Sequence, residues 1–136
     1  MATFTKNERL CGKKQVEQLF SQGQAFMAYP YRVLLHWVDD SNQEPCQVLV
    51  VVSKRSFKRA HDRNRIKRQT REIWRHKKEL LYQELISSNK KCHLGLVFVG
   101  KQLPVYGELE KGINKLLKEL GNHVGKNDGT RNDIAN

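Results

Sequence analysis

The chain has 136 residues, and its 25 Lys and Arg outnumber its 14 Asp and Glu to leave a net charge of +11. That length suits one domain with a modest core. A hydrophobic content of 38%, with five Phe, four Tyr and two Trp, excludes a disordered polycation.

The longest unbroken apolar run, Val48 to Val52, is far short of a membrane span, and MATFTKNERL lacks the apolar run of a secretory signal. A cytoplasmic protein with a polyanionic partner and no membrane association is expected. Cys11, Cys46 and Cys92 are odd in number and lack CxxC or Cys/His spacing. They point to reduced thiols, not to a disulfide framework or a zinc site.

In chain order, KKQVEQLFSQG places Val16, Leu19 and Phe20 at helical spacing before Gly23, so residues 12–22 are expected to form a short amphipathic helix. AFMAYPYRVLLHWV follows as an extended strand. Met27, Tyr29, Tyr31, Val33, Leu35 and Trp37 share one face, with Arg32 and His36 on the other. Pro30 cannot donate a ladder hydrogen bond and marks an edge or a break. DDSNQEP is a turn cluster, and CQVLVVVSK is a strand buried on both sides.

A basic stretch comes next and continues as a helix through REIWRHKKELLYQELI to about Ser87. SSNKK ends it, and CHLGLVFVG is a second apolar strand. YGELEKGINKLLKEL then sets Leu109, Ile113, Leu116, Leu117 and Leu120 on one helical face. From Gly121 onward no periodicity remains, so the domain is expected over 1–121 and a flexible tail over 122–136. The order helix, strand, strand, helix, strand, helix indicates a single-domain α+β two-layer sandwich. Its strand–helix–strand unit at 46–100 suggests parallel pairing through a crossover.

The charge is local. Between Lys54 and Lys78 twelve basic residues face only Asp62 and Glu72, a net of +10 against +11 for the whole chain. On a helix, Ile66, Thr70, Ile73, Lys77 and Leu80 form one stripe, with Trp74, Leu81 and Leu85 beside it, and this stripe suits packing on the sheet. Asn64, Arg68, Arg71, Arg75 and Lys78 form the opposing stripe, flanked by Lys67, and Asp62 is the candidate N-cap. Arginine forks match phosphate oxygens. The exposed row is therefore suited to lie along a phosphate backbone. His61 and His76 read as solvated helix residues.

The segment VVSKRSFKRAHDRNRIKRQTREIWR strongly resembles the bacterial ribonuclease P protein subunit. It supplies Val52, Ser53, Lys54 and Arg55 at a strand end, then Arg63, Asn64, Arg65, Lys67, Arg68, Arg71 and Glu72 in register with that family's R-N-R-x-K-R and R-E pattern. KKQVEQLFSQG resembles the family's first helix, although Val16 stands where an aromatic is frequent, and GLVFVGKQLP resembles its later strand. Gln47 and Leu49 depart from an arginine and a glycine common in the family.

The resemblance implies an α+β fold with a left-handed crossover and a role in removing the 5′ leader of precursor tRNA. The catalytic RNA subunit would hold the magnesium, and no obligate protein partner is implied. By resemblance, Lys54, Arg55, Lys58, Arg59, Arg63, Asn64, Arg65, Lys67, Arg68, Arg71 and Arg75 contact RNA. Val16, Phe20 and Tyr31 would line the groove that takes the single-stranded leader. Phe20 and Tyr31 could stack on unpaired bases, and core packing is the competing role for both. No catalytic residue stands out in the protein. Two other functions share some of these features: a structural RNA-binding factor without processing activity, and a DNA-binding protein using the basic helix in the major groove.

Overall fold

The computed structural model describes residues 8–39 and 44–133, with side chains described as far as Val124. Its elements are α1 (Lys13–Gln22), β1 (Gln24–Ala28), β2 (Tyr31–Val38), β3 (Cys46–Val52), α2 (Ala60–Lys77), α3 (Glu79–Ser87), β4 (Lys91–Phe98) and α4 (Tyr106–Asp133). One sheet has the order β1-β2-β4-β3. β1, β2 and β4 are antiparallel neighbours, whereas β3 and β4 run parallel, with α2 and α3 between them in sequence. The α+β class and the parallel pair are those the sequence indicates. Part of the DDSNQEP turn, residues 40–43, lies outside the described residues.

Strand alternation gives the sheet two unlike faces. On one, Tyr31, Val33 and Leu35 of β2, Val48 and Val50 of β3, and Leu94 and Leu96 of β4 are buried in one cluster with Ile66, Ile73 and Trp74 of α2, Leu85 of α3, and Leu109 and Ile113 of α4. The other face presents Leu34, Leu49 and Val97 to Leu19 of α1 and to Leu10. Gly95 allows that close approach, because a Cβ there would lie 3.1 Å from Leu19 Cδ2. The sequence expects two layers; α1 adds a partial third on the face opposite the other helices.

Residues 25–38 are two strands. The chain reverses at the cis Tyr29–Pro30 bond, and β1 folds back on β2 with Gln24 opposite Leu35 and Ala28 opposite Tyr31. This overturns the alternation read through Pro30: Met27 lies opposite Arg32 on the α1 face, whereas Tyr31, Val33 and Leu35 point to the helical layer. α4 packs tightly on the turn, since a Cβ at Gly112 would meet the Tyr29 carbonyl oxygen at 2.9 Å.

The long helix is likewise divided, at Lys78. Its ammonium turns inward and pairs with the Glu8 carboxylate, both side chains being buried. Tyr82 donates to the same carboxylate at 2.6 Å and to the Cys46 carbonyl at 3.2 Å. Lys78 therefore does not belong to the exposed cationic stripe. Beyond the break Leu81 and Leu85 stay buried, whereas Leu80, expected on the buried stripe, is 75% exposed. The N-terminal strand-like segment is fixed at the same place: Leu10 N–H donates to the Val48 carbonyl at 2.9 Å along the outer edge of β3.

At the other end, α4 continues past Gly121, where the sequence expects the domain to stop. Val124 lies one helical turn beyond Leu120 and extends its apolar stripe, being 4% exposed. His123 stacks on Phe26 of β1 with ring centroids 5.5 Å apart. Residues 122–124 thus belong to the folded unit. Cys46 and Cys92, distant in sequence, face one another across β3 and β4, where Cys92 Sγ donates to Cys46 Sγ at 3.6 Å. That hydrogen bond, with burial, pushes the Cys46 thiol above its ordinary range, which favours the protonated form.

Removing one partner of a buried ion pair leaves the other charge uncompensated, at about 3–5 kcal/mol. Lys78→Ala is therefore expected to lower the unfolding free energy by about that amount. Urea titration followed by circular dichroism measures it. A loss of under about 0.5 kcal/mol, the range of an ordinary surface substitution, would refute the buried pairing.

Candidate nucleic-acid interface

α2 separates its residues as an amphipathic helix should. Ile66, Thr70, Ile73 and Trp74 are buried, and their row fixes the opposite side outward. Asn64, Arg65 and Arg68 are exposed, while Lys67, Arg71 and Arg75 are half-buried along the flanks. The preceding loop exposes Lys54, Arg55, Lys58 and Arg59. That loop has its own anchors: Phe57 N–H donates to the Ser53 carbonyl at 3.1 Å, and the Phe57 ring lies 5.8 Å from Phe98. Most of the predicted RNA-contacting residues therefore share one continuous surface.

Arg63 points elsewhere. Its guanidinium donates to the carbonyl oxygens of Phe57 and Lys58 at 2.8 and 2.9 Å, fastening the basic loop to the helix start. The helix N-cap is Arg59, without a side-chain cap, so Asp62 is not the cap the sequence suggests. Asp62 lies in the first turn, where a carboxylate is favoured by the helix dipole.

One carboxylate organises the far end of the stripe. Glu72 accepts from Arg75 at 2.7 Å and meets His76 Nε2 at 2.9 Å. The Arg75 hydrogen bond, followed by that of His76, holds the Glu72 carboxyl down at about 2. Arg75 is correspondingly raised above its usual range by Glu72. Beside it, Arg68, Arg71, Glu72 and Arg75 line a concavity of about 370 Å³, and the fifth lining residue is Arg9. Sequence reasoning missed Arg9, because no helical or strand spacing relates position 9 to 68–75. Its bridge to Val48 at the β3 edge does so in space.

The second candidate surface lies across β3. α1 covers only part of its sheet face, and Val16, Leu49 and Val97 remain half-buried around Leu10, Leu19 and Leu34. Phe20, on the last turn of α1, is 50% exposed. The half-open apolar face suits a flat, unpaired base, and Arg32 is exposed opposite Val97. Val16 packs against this face, and Phe20 is exposed on the same helix.

Tyr31, which the resemblance implies for the groove, is fully buried on the opposite face of the sheet, and its hydroxyl is 2.7 Å from Thr70 Oγ1 of α2. Burial, partly offset by that hydrogen bond, raises its pKa above the ordinary tyrosine range. The hairpin at Pro30 is the reason. The expected single strand would have continued one face from Met27 to Tyr31, whereas the reversal leaves Tyr31 in register with the core strand β4, opposite Phe98.

The family model described as Ribonuclease P matches residues 4–121. A ribonuclease P protein component of Porphyromonas gingivalis is 33% identical over 125 residues, covering 90% of this chain and 91% of that protein. One from Nitrosococcus oceani is 32% identical over 78 residues, 57% of this chain and 63% of its own. Among solved structures, the Staphylococcus aureus RNase P protein superposes with a TM-score of 0.64 at 16% identity, covering 83% of this chain and 94% of that one. The RNase P protein from Thermotoga maritima gives 0.62 at 20% identity, covering 82% and 96%. At those identities the structural likeness speaks to fold.

The position of Tyr31 is testable apart from function. Tyr31→Phe deletes a buried hydroxyl and leaves Thr70 without that partner, which should cost about 1–3 kcal/mol of stability. RNA affinity of the folded variant should match the wild type in a filter-binding assay. Weaker RNA binding at unchanged stability would return Tyr31 to the groove.

Proposed function

The chain belongs to the ribonuclease P protein component family, and we therefore propose that it is the protein subunit of ribonuclease P, binding the catalytic RNA and the 5′ leader of precursor tRNA during leader removal. The observation that carries this reading is the juxtaposition across β3 of a rigid arginine stripe on α2 with a half-open apolar face beneath α1. The first suits a phosphate backbone. The second suits unpaired bases, with Phe20 as stacking surface and Val16, Leu49 and Val97 as floor.

Hydrolysis itself is assigned to the RNA subunit. Magnesium bound there would activate water and stabilise the leaving oxygen. Among the described residues no group of three His, Cys, Asp or Glu could hold a metal ion. The contribution of the protein is to bind and to neutralise. Two polyanions, the catalytic RNA and the precursor, repel one another, and a cationic surface between them lowers the magnesium needed to bring them together.

The described helices include none long and apolar enough to cross a membrane, and we assign the protein to the cytoplasm with its RNA partners. Use of α2 as a major-groove recognition helix is disfavoured by its packing. Its Ile66, Thr70, Ile73 and Trp74 face is committed to the sheet, so the helix does not protrude.

Reconstitution tests the assignment. Added to a bacterial ribonuclease P RNA at low magnesium, the protein should accelerate leader removal from precursor tRNA. RNA binding without acceleration would support a structural RNA-binding factor instead. In the same assay Phe20→Ala should weaken affinity for precursor tRNA by about 1–3 kcal/mol, leaving mature tRNA unaffected. Because Phe20 is half exposed, the variant should melt close to the wild type. Equal discrimination of precursor from mature tRNA by the two proteins would remove Phe20 from the groove.

A further inference from the structure

We propose that a second concavity, on the flank of α1 away from Val16 and Phe20, binds one unpaired nucleobase of an RNA partner through its hydrogen-bonding edge, with His36 and Gln18 as the residues that read it. The site rests on the chain being an RNA-binding subunit, and it recognises a base without offering a cation to a phosphate.

The sheet face under α1 is laid out in rows. Register places Leu34, Gly95 and Leu49 side by side across β2, β4 and β3, and Leu19 of α1 sits over Gly95. The next row toward the basic loop is Arg32, Val97 and Val51. The next row in the other direction is His36, His93 and Gln47, so the face turns polar beyond α1. The helix divides in the same way. Val16 packs with Leu49 and Val97, and Phe20 follows it by one turn on the same flank. Gln15 and Gln18 lie on the other flank, where they line a concavity of about 360 Å³ with His36, His93, Trp37 and Asp39.

That concavity has the chemistry of a base edge. His36 Nδ1 is buried with no hydrogen-bond partner among the described residues. An unpaired buried polar atom costs stability, and a ligand that supplies the missing bond recovers it. A neutral imidazole carries one donor and one acceptor, and a carboxamide sets both side by side. Bases present adjoining donors and acceptors of the same kind. Unpaired bases are held by such edge bonds and by stacking on aromatic or imidazole rings. Trp37 and the rings of His36 and His93, whose centroids are 6.4 Å apart, supply that surface. Neither Lys nor Arg is among the described lining residues, and the exposed Asp39 carboxylate repels a phosphate while accepting from an exocyclic amine. A purely apolar ligand would leave His36 Nδ1 unpaired.

The test uses the full chain, first alone and then reconstituted with a bacterial ribonuclease P RNA. In an NMR titration with the four ribonucleosides, which carry no phosphate, the His36 ring signals should shift while those of His61 and His76 stay. In the reconstituted enzyme His36→Ala and Gln18→Ala should each weaken RNA binding roughly fivefold, the effect of one lost hydrogen bond. Gln83→Ala on α3, which removes a carboxamide elsewhere, should change nothing. A loss for precursor but not mature tRNA places the base in the leader. A loss for the catalytic RNA places the base there, and either result supports the site. If His36→Ala does not fold, Gln18→Ala on its half-buried helix flank decides.

Wild-type affinity in the folded variants, with Phe20→Ala still impaired, overturns this site and leaves the subunit assignment standing. A His36 shift with free nucleosides but unchanged RNA affinity makes it a nucleoside site and overturns the RNA assignment. If Phe20→Ala is also unimpaired and the protein does not accelerate leader removal, the subunit reading fails with it.

Discussion

α2 must bury one face against the sheet while its other face, together with the basic loop before it, carries most of the charge excess of the chain, and the rest of the architecture follows from that requirement. Adjacent like charges on a helix oppose its formation by about 0.2–0.5 kcal/mol per pair. Burial of a large apolar side chain returns about 1.5–3 kcal/mol, and Ile66, Ile73 and Trp74 are all essentially inaccessible. Packing therefore wins over repulsion, and the cations are held in a fixed row instead of dispersing on a disordered segment. The backbone that carries the row has lost its conformational entropy before any polyanion arrives, which favours binding.

The parallel β3–β4 pair sets where that row lies. Parallel neighbours need a crossover, and here it is the basic loop followed by α2 and α3. The loop leaves β3 at Val52, directly beside the sheet face that α1 covers only in part. Cationic stripe and apolar face are thus two sides of one edge strand. The Glu8–Lys78–Tyr82 contact adds the N-terminal segment to that edge and couples it to the point where α2 gives way to α3.

Much of this was legible in the residues. Apolar spacing located α1, β3, α2, β4 and the first half of α4, and the charge count singled out the basic loop and α2 as the candidate interface. What escaped was long-range. Nothing near Pro30 says that the strand doubles back, since a broken edge strand and a hairpin have the same local pattern; for Tyr31 the groove implied by resemblance yields to core packing, the competing role the residues themselves allow. Lys78 falls on the exposed stripe by periodicity, but a partner seventy positions away draws it inward. Gly121 looks like a helix stop until Val124 is seen to continue the stripe, because Gly in a helix is a penalty that packing can override. Arg9 had no local signal.

Contact of the basic loop and α2 with RNA through phosphates is tested most directly by the affinity of the wild-type protein for a ribonuclease P RNA across a salt series. Each phosphate neutralised should contribute about −0.7 to −0.9 to the slope of log K against log salt. A stripe of this size predicts a straight line with a slope several times that value. A slope near zero would mean that the charge concentrated on the basic loop and α2 is not what holds the RNA.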